Sequence, residues 1–173
     1  MKQKINVWDY AGQIIEKTGN GVLLTTKADD RVNTMTIGWG TIGIQWRKPV
    51  FIAFVRQSRL TKEMLDKNGE FTVNIPVGEI DKKILGICGS KSGRDMDKIK
   101  DLELHLEEPT TVNVPGIKEL PLTLECRVIY RQDQVLDFLE AESRDHYYAP
   151  GTKDENDYHT AFYGEILDAY IIE

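Results

Sequence analysis

Alternating and uniformly apolar runs recur along the chain and predict strands. From Asn33 to Gly40 the residues alternate strictly between apolar and small side chains, which is the period-two pattern of a strand. The apolar face carries Met35, Ile37 and Trp39. The small face leaves room for a flat ligand, although a neighbouring element could fill that space equally well.

Further stretches rich in β-branched and aromatic residues, bounded by turn residues, predict strands at 22–26, 50–55, 71–75, 122–130, 135–141 and 162–172. The run at 50–55 is apolar throughout, which suits a strand buried on both faces. Asp29 and Asp30 follow the first of these strands and predict a hairpin turn.

Helical spacing occurs at 10–17, 58–68 and 79–88, and Asp95 is suited to cap a short further helix. These segments do not alternate regularly with the strands. The pattern therefore favours a mainly β fold, an antiparallel barrel or sandwich with appended helices, over a doubly wound sheet. No composition shift divides residues 1–173, so we expect a single domain.

Composition narrows the classes of partner. The 173 residues carry a net charge of -6, which argues against a nucleic-acid-binding protein and requires any phosphate site to be locally basic. Cys88 and Cys126 lie in apolar stretches without metal-ligand spacing, so we expect reduced thiols and a cytoplasmic protein. No apolar run approaches the ~18 residues of a membrane-spanning helix, so we expect neither export nor membrane insertion.

A glycine motif at 38–43, Gly-Trp-Gly-Thr-Ile-Gly, matches the dinucleotide-binding pattern G-x-G-x-x-G. That pattern needs a helix directly after the glycines to receive the pyrophosphate. Here Pro49 and a β-branched run follow instead. We therefore reject a classical dinucleotide-binding fold.

The sequence Arg56-Gln-Ser58-Arg59-Leu-Thr61 joins a predicted strand to a predicted helix. Two guanidinium groups, two hydroxyls and the free N–H groups of a helix start would suit a terminal phosphate. Alternatively, Ser58 or Thr61 caps the helix and the arginines face water.

Several motifs together resemble the flavin reductase-like, FMN-binding split-barrel family that includes flavoredoxins. These motifs are residues 33–40, 46–49 and 55–61, then 71–74, 88–98 and 159–164, and they run over most of the chain. The resemblance implies a six-stranded antiparallel Greek-key split barrel and a homodimer with FMN near the subunit interface. It also implies chemistry at flavin N5, with NAD(P)H as a possible electron donor and no catalytic side chain of the protein's own.

The resemblance assigns flavin contacts residue by residue. Four residues would hold the FMN phosphate: Arg56, Ser58, Arg59 and Thr61. Four would border the isoalloxazine ring: Asn33, Thr34, Met35 and Thr36. A loop would close over the flavin and contribute Ser90, Lys91, Ser92, Asp97 and Lys98. Lys98 or Arg59 would stabilise negative charge on reduced flavin, or else Lys98 lies solvated at the surface. Trp39 would line the pocket or, as an aromatic on the apolar strand face, belong to the core.

Three functions remain open at this point. One is an NAD(P)H-dependent oxidoreductase that passes electrons from FMN to a small-molecule or protein acceptor. The second is a non-enzymatic FMN-binding electron carrier or binding module without a nicotinamide site. The third is a barrel that binds no flavin and acts only as a scaffold. His105, His146 and His159 lack metal-site spacing, so we expect no metal centre and structural or exposed histidines. Alternatively, residues 146–148 and His159 lie in a loop at the mouth of the pocket.

Overall fold

The computed structural model describes the whole chain, Met1–Glu173. Its strands are β1 (Lys2–Lys4), β2 (Val22–Ala28), β3 (Arg31–Ile37), β4 (Gly40–Gln45), β5 (Lys48–Arg56), β6 (Glu70–Ile75), β7 (Leu106–Glu107), β8 (Gly116–Ile117), β9 (Leu122–Asp133) and β10 (His159–Ile172). Its α-helices are α1 (Ala11–Asn20), α2 (Leu60–Lys67), α3 (Lys82–Ser90), α4 (Lys98–Asp101) and α5 (Ala141–Tyr147). Two 3-10 turns cover Val7–Tyr10 and Leu136–Phe138. No helix is long and apolar enough to cross a bilayer.

The main sheet is antiparallel and has eight strands in the order β3-β2-β6-β9-β10-β5-β4, with β1 added on β10. Its two end strands, β3 and β4, are joined only by Gly38 and Trp39. Three Cα–Cα steps span about 11 Å at most, so the two ends of the sheet lie close together. The sheet therefore curls into a barrel, and β7 pairs with β8 outside it.

The structure confirms a mainly β, antiparallel fold with a few helices, but the strand count differs from the six expected. The extra strands are the N-terminal β1 and the hairpin strand β4, whose turn is formed by Trp46 and Arg47. The strand predicted at 135–141 is wrong, because those residues form a 3-10 turn and the start of α5. Phe138 is 89% exposed there, so its apolar character does not reflect a place in the core. The Greek-key topology stays a prediction.

Both faces of the central strands are buried. Phe51, Phe71 and Phe162 fill the barrel interior with no exposed surface. On the outer face, Leu23 of β2 packs against Ile84 of α3 in a second, smaller cluster. Helix α3 therefore covers the sheet beside β2 and β3. The loop between α3 and α4 consequently lies at the ends of those two strands.

A buried carboxylate fastens the loop after β7. Glu125 accepts hydrogen bonds from the backbone of Thr110 and Thr111 at 2.7 and 2.6 Å and from the hydroxyl of Tyr170 at 2.9 Å. Burial alone would raise the pKa of Glu125, but these bonds together outweigh burial and lower it. The fold therefore stabilises the ionised carboxylate of Glu125.

We expect Glu125→Gln to lower the free energy of unfolding by about 1–3 kcal/mol, because the amide cannot accept the same set of bonds. Since the folded pKa is lowered, the contribution is present above the unfolded pKa of about 4.3 and is lost as the pH falls through the folded value. Chemical denaturation at pH 7 and in acid measures both effects. Glu16→Gln, an exposed change on α1, is the control, and equal losses for the two variants would contradict this role.

Candidate functional site

A cleft lies where β3, the start of α2 and the loop between α3 and α4 meet. One cavity of about 240 Å³ is lined by residues of all three, including Asn33, Thr61 and Ser92. A neighbouring cavity of about 180 Å³ shares Met35, Thr36 and Arg59 with it. Together the cavities form an elongated cleft, which suits a ligand with two chemically different ends.

The first cavity is strongly basic, although the protein as a whole is acidic. Four cationic side chains line it, and none of its 14 lining residues is acidic; the four are Arg59, Lys91, Arg94 and Lys98. Arg94 pairs with Glu63, whereas the other three take part in no ion pair. The local field therefore favours an anion.

Lys98 is the most unusual of these cations. It is only 4% exposed, and its Nζ donates to the carbonyls of Thr34 and Cys88 at 3.0 and 2.9 Å. An ammonium group carries three donors, so one remains for the cavity that Lys98 lines. Burial lowers the pKa of Lys98, the Cys88 thiolate would raise it, and Arg59 lowers it further. The surface alternative for this residue is wrong, and a buried cation without a carboxylate partner is stabilised by an anionic ligand.

Helix α2 begins at Leu60, after Arg59 in extended conformation, and no side chain caps it. The capping alternative for Ser58 and Thr61 is therefore wrong. Thr61 instead accepts a hydrogen bond from Asn33 Nδ2 at 3.2 Å, which leaves its hydroxyl proton free to donate. The start of α2 keeps unbonded amide groups beside the basic cavity, as an anion site requires.

Arg56 and Ser58 are already engaged within the protein. Ser58 donates its N–H and its hydroxyl to the carboxylate of Asp157 at 2.9 and 2.7 Å. Arg56 donates to the carbonyls of Asp157 and Tyr147 at 3.2 and 3.1 Å. These two residues thus fasten the segment between α5 and β10, and phosphate binding by Ser58 stays a prediction that requires Asp157 to withdraw.

The loop after α3 closes one side of the cavity. Lys91 and Ser92 line it, as predicted. Gly93 lies against Asn33 and Leu60, and its carbonyl accepts from Arg31. Arg94, which the sequence analysis missed, donates to the carbonyl of Ser58 at 3.0 Å and contacts Glu63. A single arginine in a polar loop gave no signal that it would bridge to α2.

Three residues assigned by resemblance do not line either cavity. Thr34 is fully buried and bonds to Thr25 across the β2–β3 pair. Ser90 donates to the carbonyl of Gly86 within α3. Asp97, rather than Asp95, caps α4 by accepting from two of its backbone N–H groups. Helix α3 takes up part of the space beside the small face of β3, since Thr36 donates to the carbonyl of Leu85, and the rest of that face is open, because Thr36 and Gly38 line the cavities.

The second cavity has an aromatic wall. Trp39 is 40% exposed, so its alternative place in the core is wrong, because β3 ends at Ile37. Its ring lies 4.8 Å from that of His159 at an angle of 37°. Both residues line the cavity, which is the place that the resemblance implied for Trp39. His159 is buried, and its ring forms part of the pocket wall.

Cys88 also lines the first cavity. Burial raises the pKa of its thiol to about 11, an effect that Lys98 partly opposes. The thiol is therefore protonated at neutral pH and is a poor nucleophile.

Comparison with known proteins is consistent with this geometry. The family model "Flavin reductase like domain" matches residues 17–173. An uncharacterized protein of Archaeoglobus fulgidus is 31% identical over 138 residues, which cover 80% of this chain but only 64% of that protein. A flavoredoxin from Methanosarcina acetivorans is 30% identical with a TM-score of 0.64, over 88% of this chain and 68% of that one. The flavoredoxin of Desulfovibrio vulgaris (Miyazaki F) shares the fold, with a TM-score of 0.65 at 24% identity, over 88% of this chain and 69% of that one.

Proposed function

The chain belongs to the flavin reductase-like, FMN-binding family, and on this premise we propose that it is an FMN-binding oxidoreductase whose flavin takes electrons from NAD(P)H. The observation that carries the proposal is the first cavity, which gathers four cations and no acid in a protein of net charge -6. The negative charge of a phosphate monoester would balance these four cations. The adjoining aromatic cavity suits a flat ring at the other end of the same ligand.

The residues present fit FMN. Arg59, Lys91 and Lys98 offer charge to the phosphate, and Thr61 and Ser92 offer hydroxyl protons. Asn33, Met35 and Thr36 line the cleft on the way to the second cavity and would border the ring. Bound FMN would supply hydride acceptance at N5. The chain itself holds the phosphate, orients the ring and excludes water from the covered side of the cleft.

The two arginines of the turn are expected to behave differently. Arg59→Ala should weaken FMN binding about 5- to 10-fold with little effect on riboflavin, because only FMN carries the phosphate. Arg56→Ala should instead release the segment at 147–157, which Arg56 holds. Isothermal titration with both ligands measures the first effect, and limited proteolysis of that segment measures the second. Equal losses of FMN and riboflavin affinity in Arg59→Ala would contradict the phosphate assignment.

The electron-transfer part of the proposal is tested by mixing the FMN-loaded protein with NADH or NADPH without oxygen. Rapid bleaching of the flavin absorbance near 450 nm is the expected result. The protein without nucleotide and free FMN with nucleotide are the controls. A flavin that stays oxidised would favour the second function, an FMN-binding electron carrier that receives electrons from another source.

We also propose a homodimer, because the barrel carries exposed aromatic surface. Trp46 at the β4–β5 turn is 55% exposed and packs edge-on against Tyr130 at 5.7 Å. An exposed aromatic cluster of this kind is typical of an interface. Sedimentation velocity measures the oligomeric state directly, and a monomer at micromolar concentration would contradict the proposed homodimer.

A further inference from the structure

His159 opens β10 and is tied to the residue that follows β9. The N–H of Gln134 donates to the carbonyl of His159 at 2.9 Å. In return, the N–H of His159 donates to Gln134 Oε1 at 3.1 Å. A backbone N–H can only donate, so this contact identifies the oxygen of the Gln134 amide and fixes the orientation of that side chain.

The same oxygen determines where the proton of Tyr148 goes. Tyr148 Oη lies 2.8 Å from Gln134 Oε1 and 2.6 Å from His159 Nδ1. The amide oxygen cannot donate, so the single hydroxyl proton of Tyr148 points to it. Tyr148 Oη can then only accept from His159, and Nδ1 must carry a proton.

The imidazole is neutral, so its other nitrogen is unprotonated. Burial and Arg56 lower the pKa of His159 to about 4, Asp157 opposes this, and Arg59 adds to the lowering. These groups and Tyr148 come from β5, the turn before α2 and the segment before β10. The remaining neighbours of the ring, Trp39 and Gln134, carry no charge. In the neutral ring with Nδ1–H, Nε2 is an acceptor only.

Nε2 reaches the second cavity. It makes no hydrogen bond within the protein, yet no buried side-chain nitrogen or oxygen of the chain lacks a partner. Nε2 is therefore accessible, and His159 lines the second cavity together with Trp39 and Arg56.

We propose that Gln134 and Tyr148 are positioning residues that hold His159 as the Nδ1–H tautomer, so that Nε2 presents a hydrogen-bond acceptor to an N–H group on a planar ligand in the second cavity. The identity of the ligand rests on the proposed function. Two planar groups carry an N–H donor suited to Nε2 in the second cavity: the imide of the flavin ring and the carboxamide of a nicotinamide. The tautomer itself follows from the protein alone.

The first test needs no ligand. Long-range ¹H–¹⁵N NMR of the flavin-free protein should show His159 with Nδ1 protonated and Nε2 bare, while exposed His146, whose ring makes no hydrogen bond, serves as the internal reference. Tyr148→Phe and Gln134→Leu should each abolish the preference for the Nδ1–H tautomer. Gln134→Glu, which keeps the accepting oxygen, should retain it. A wild-type His159 protonated at Nε2, or a tautomer unchanged by Tyr148→Phe, would overturn the proposal whether or not FMN binds.

The second test assigns the ligand group. Loss of one neutral hydrogen bond should cost about 5- to 10-fold in affinity. If the flavin imide is the donor, Tyr148→Phe should weaken FMN and riboflavin binding by the same factor. If the nicotinamide is the donor, FMN affinity should hold and the KM for NAD(P)H should rise. A tautomer that changes while both quantities stay constant would refute the role of Nε2 in ligand binding.

Discussion

Replacing Lys98 with methionine should weaken FMN binding about 10- to 100-fold, the largest effect that we expect of any single side chain. The change keeps the length of the side chain but removes a charged donor that is 4% exposed and has no acidic partner. Hydrogen bonds to charged groups contribute about 1.5–3 kcal/mol, which corresponds to this range. Riboflavin binding should change much less. Isothermal titration of both ligands measures the difference.

The matched control is Lys100→Met, an exposed lysine on the same helix, for which we expect unchanged affinity. The pH dependence is a second readout. Because burial lowers the pKa of Lys98, wild-type FMN affinity should fall as the pH rises toward that value, and the fall should be absent in Lys98→Met. Riboflavin and FMN losing affinity equally in Lys98→Met would mean that Lys98 acts on the ring or on folding.

Gly93→Ala should weaken FMN binding about 5- to 100-fold by displacing the loop that covers the basic cavity. A Cβ at this position would overlap Asn33 Oδ1 and stand 2.9 Å from Asn33 Cγ and 3.0 Å from Leu60 Cδ2. Asn33 cannot turn aside freely, because its Nδ2 donates to Thr61. Overpacking of this kind costs about 1–3 kcal/mol, which is the origin of the expected range.

Gly86→Ala provides the control for the glycine change, since a Cβ there meets nothing within 4 Å. It lies in α3, where alanine should stabilise the helix by about 0.5–1 kcal/mol and leave FMN affinity unchanged. Thermal unfolding and FMN titration of both variants separate loop displacement from loss of fold. A Gly93→Ala protein that binds FMN like wild type would show that the loop does not cover the ligand.

The fold was predictable where a strand has a buried face. The alternation around Met35 and the apolar run at 50–55 both correspond to strands, β3 and β5, because the barrel interior selects their side chains. Asp29 and Asp30 form the predicted turn with positive φ of 50° and 60°. Strand β4 was missed because its hairpin turn places Trp46 and Arg47 at positive φ, where glycine or asparagine would be the usual signal.

The site was predictable only in part, because local motifs show which residues are near each other in the sequence and not which distant residues occupy them. Motif spacing indicates that Arg59 and Thr61 sit at a helix start, and the structure brings them to one cavity with Lys91, Ser92 and Lys98. Sequence alone could not show that Ser58 is occupied by Asp157, since 99 residues separate them. The relation between Gln134, Tyr148 and His159 likewise depends on the pairing of β9 with β10, which no local pattern encodes.

Titration of the flavin-free wild-type protein with FMN and with riboflavin tests the central claim most directly. The cluster of cations predicts one FMN per chain, an affinity at least tenfold above that of riboflavin, and weakening of FMN binding alone as salt is added. A folded protein that binds both flavins equally, or neither, would contradict the assignment of this cavity to a phosphate.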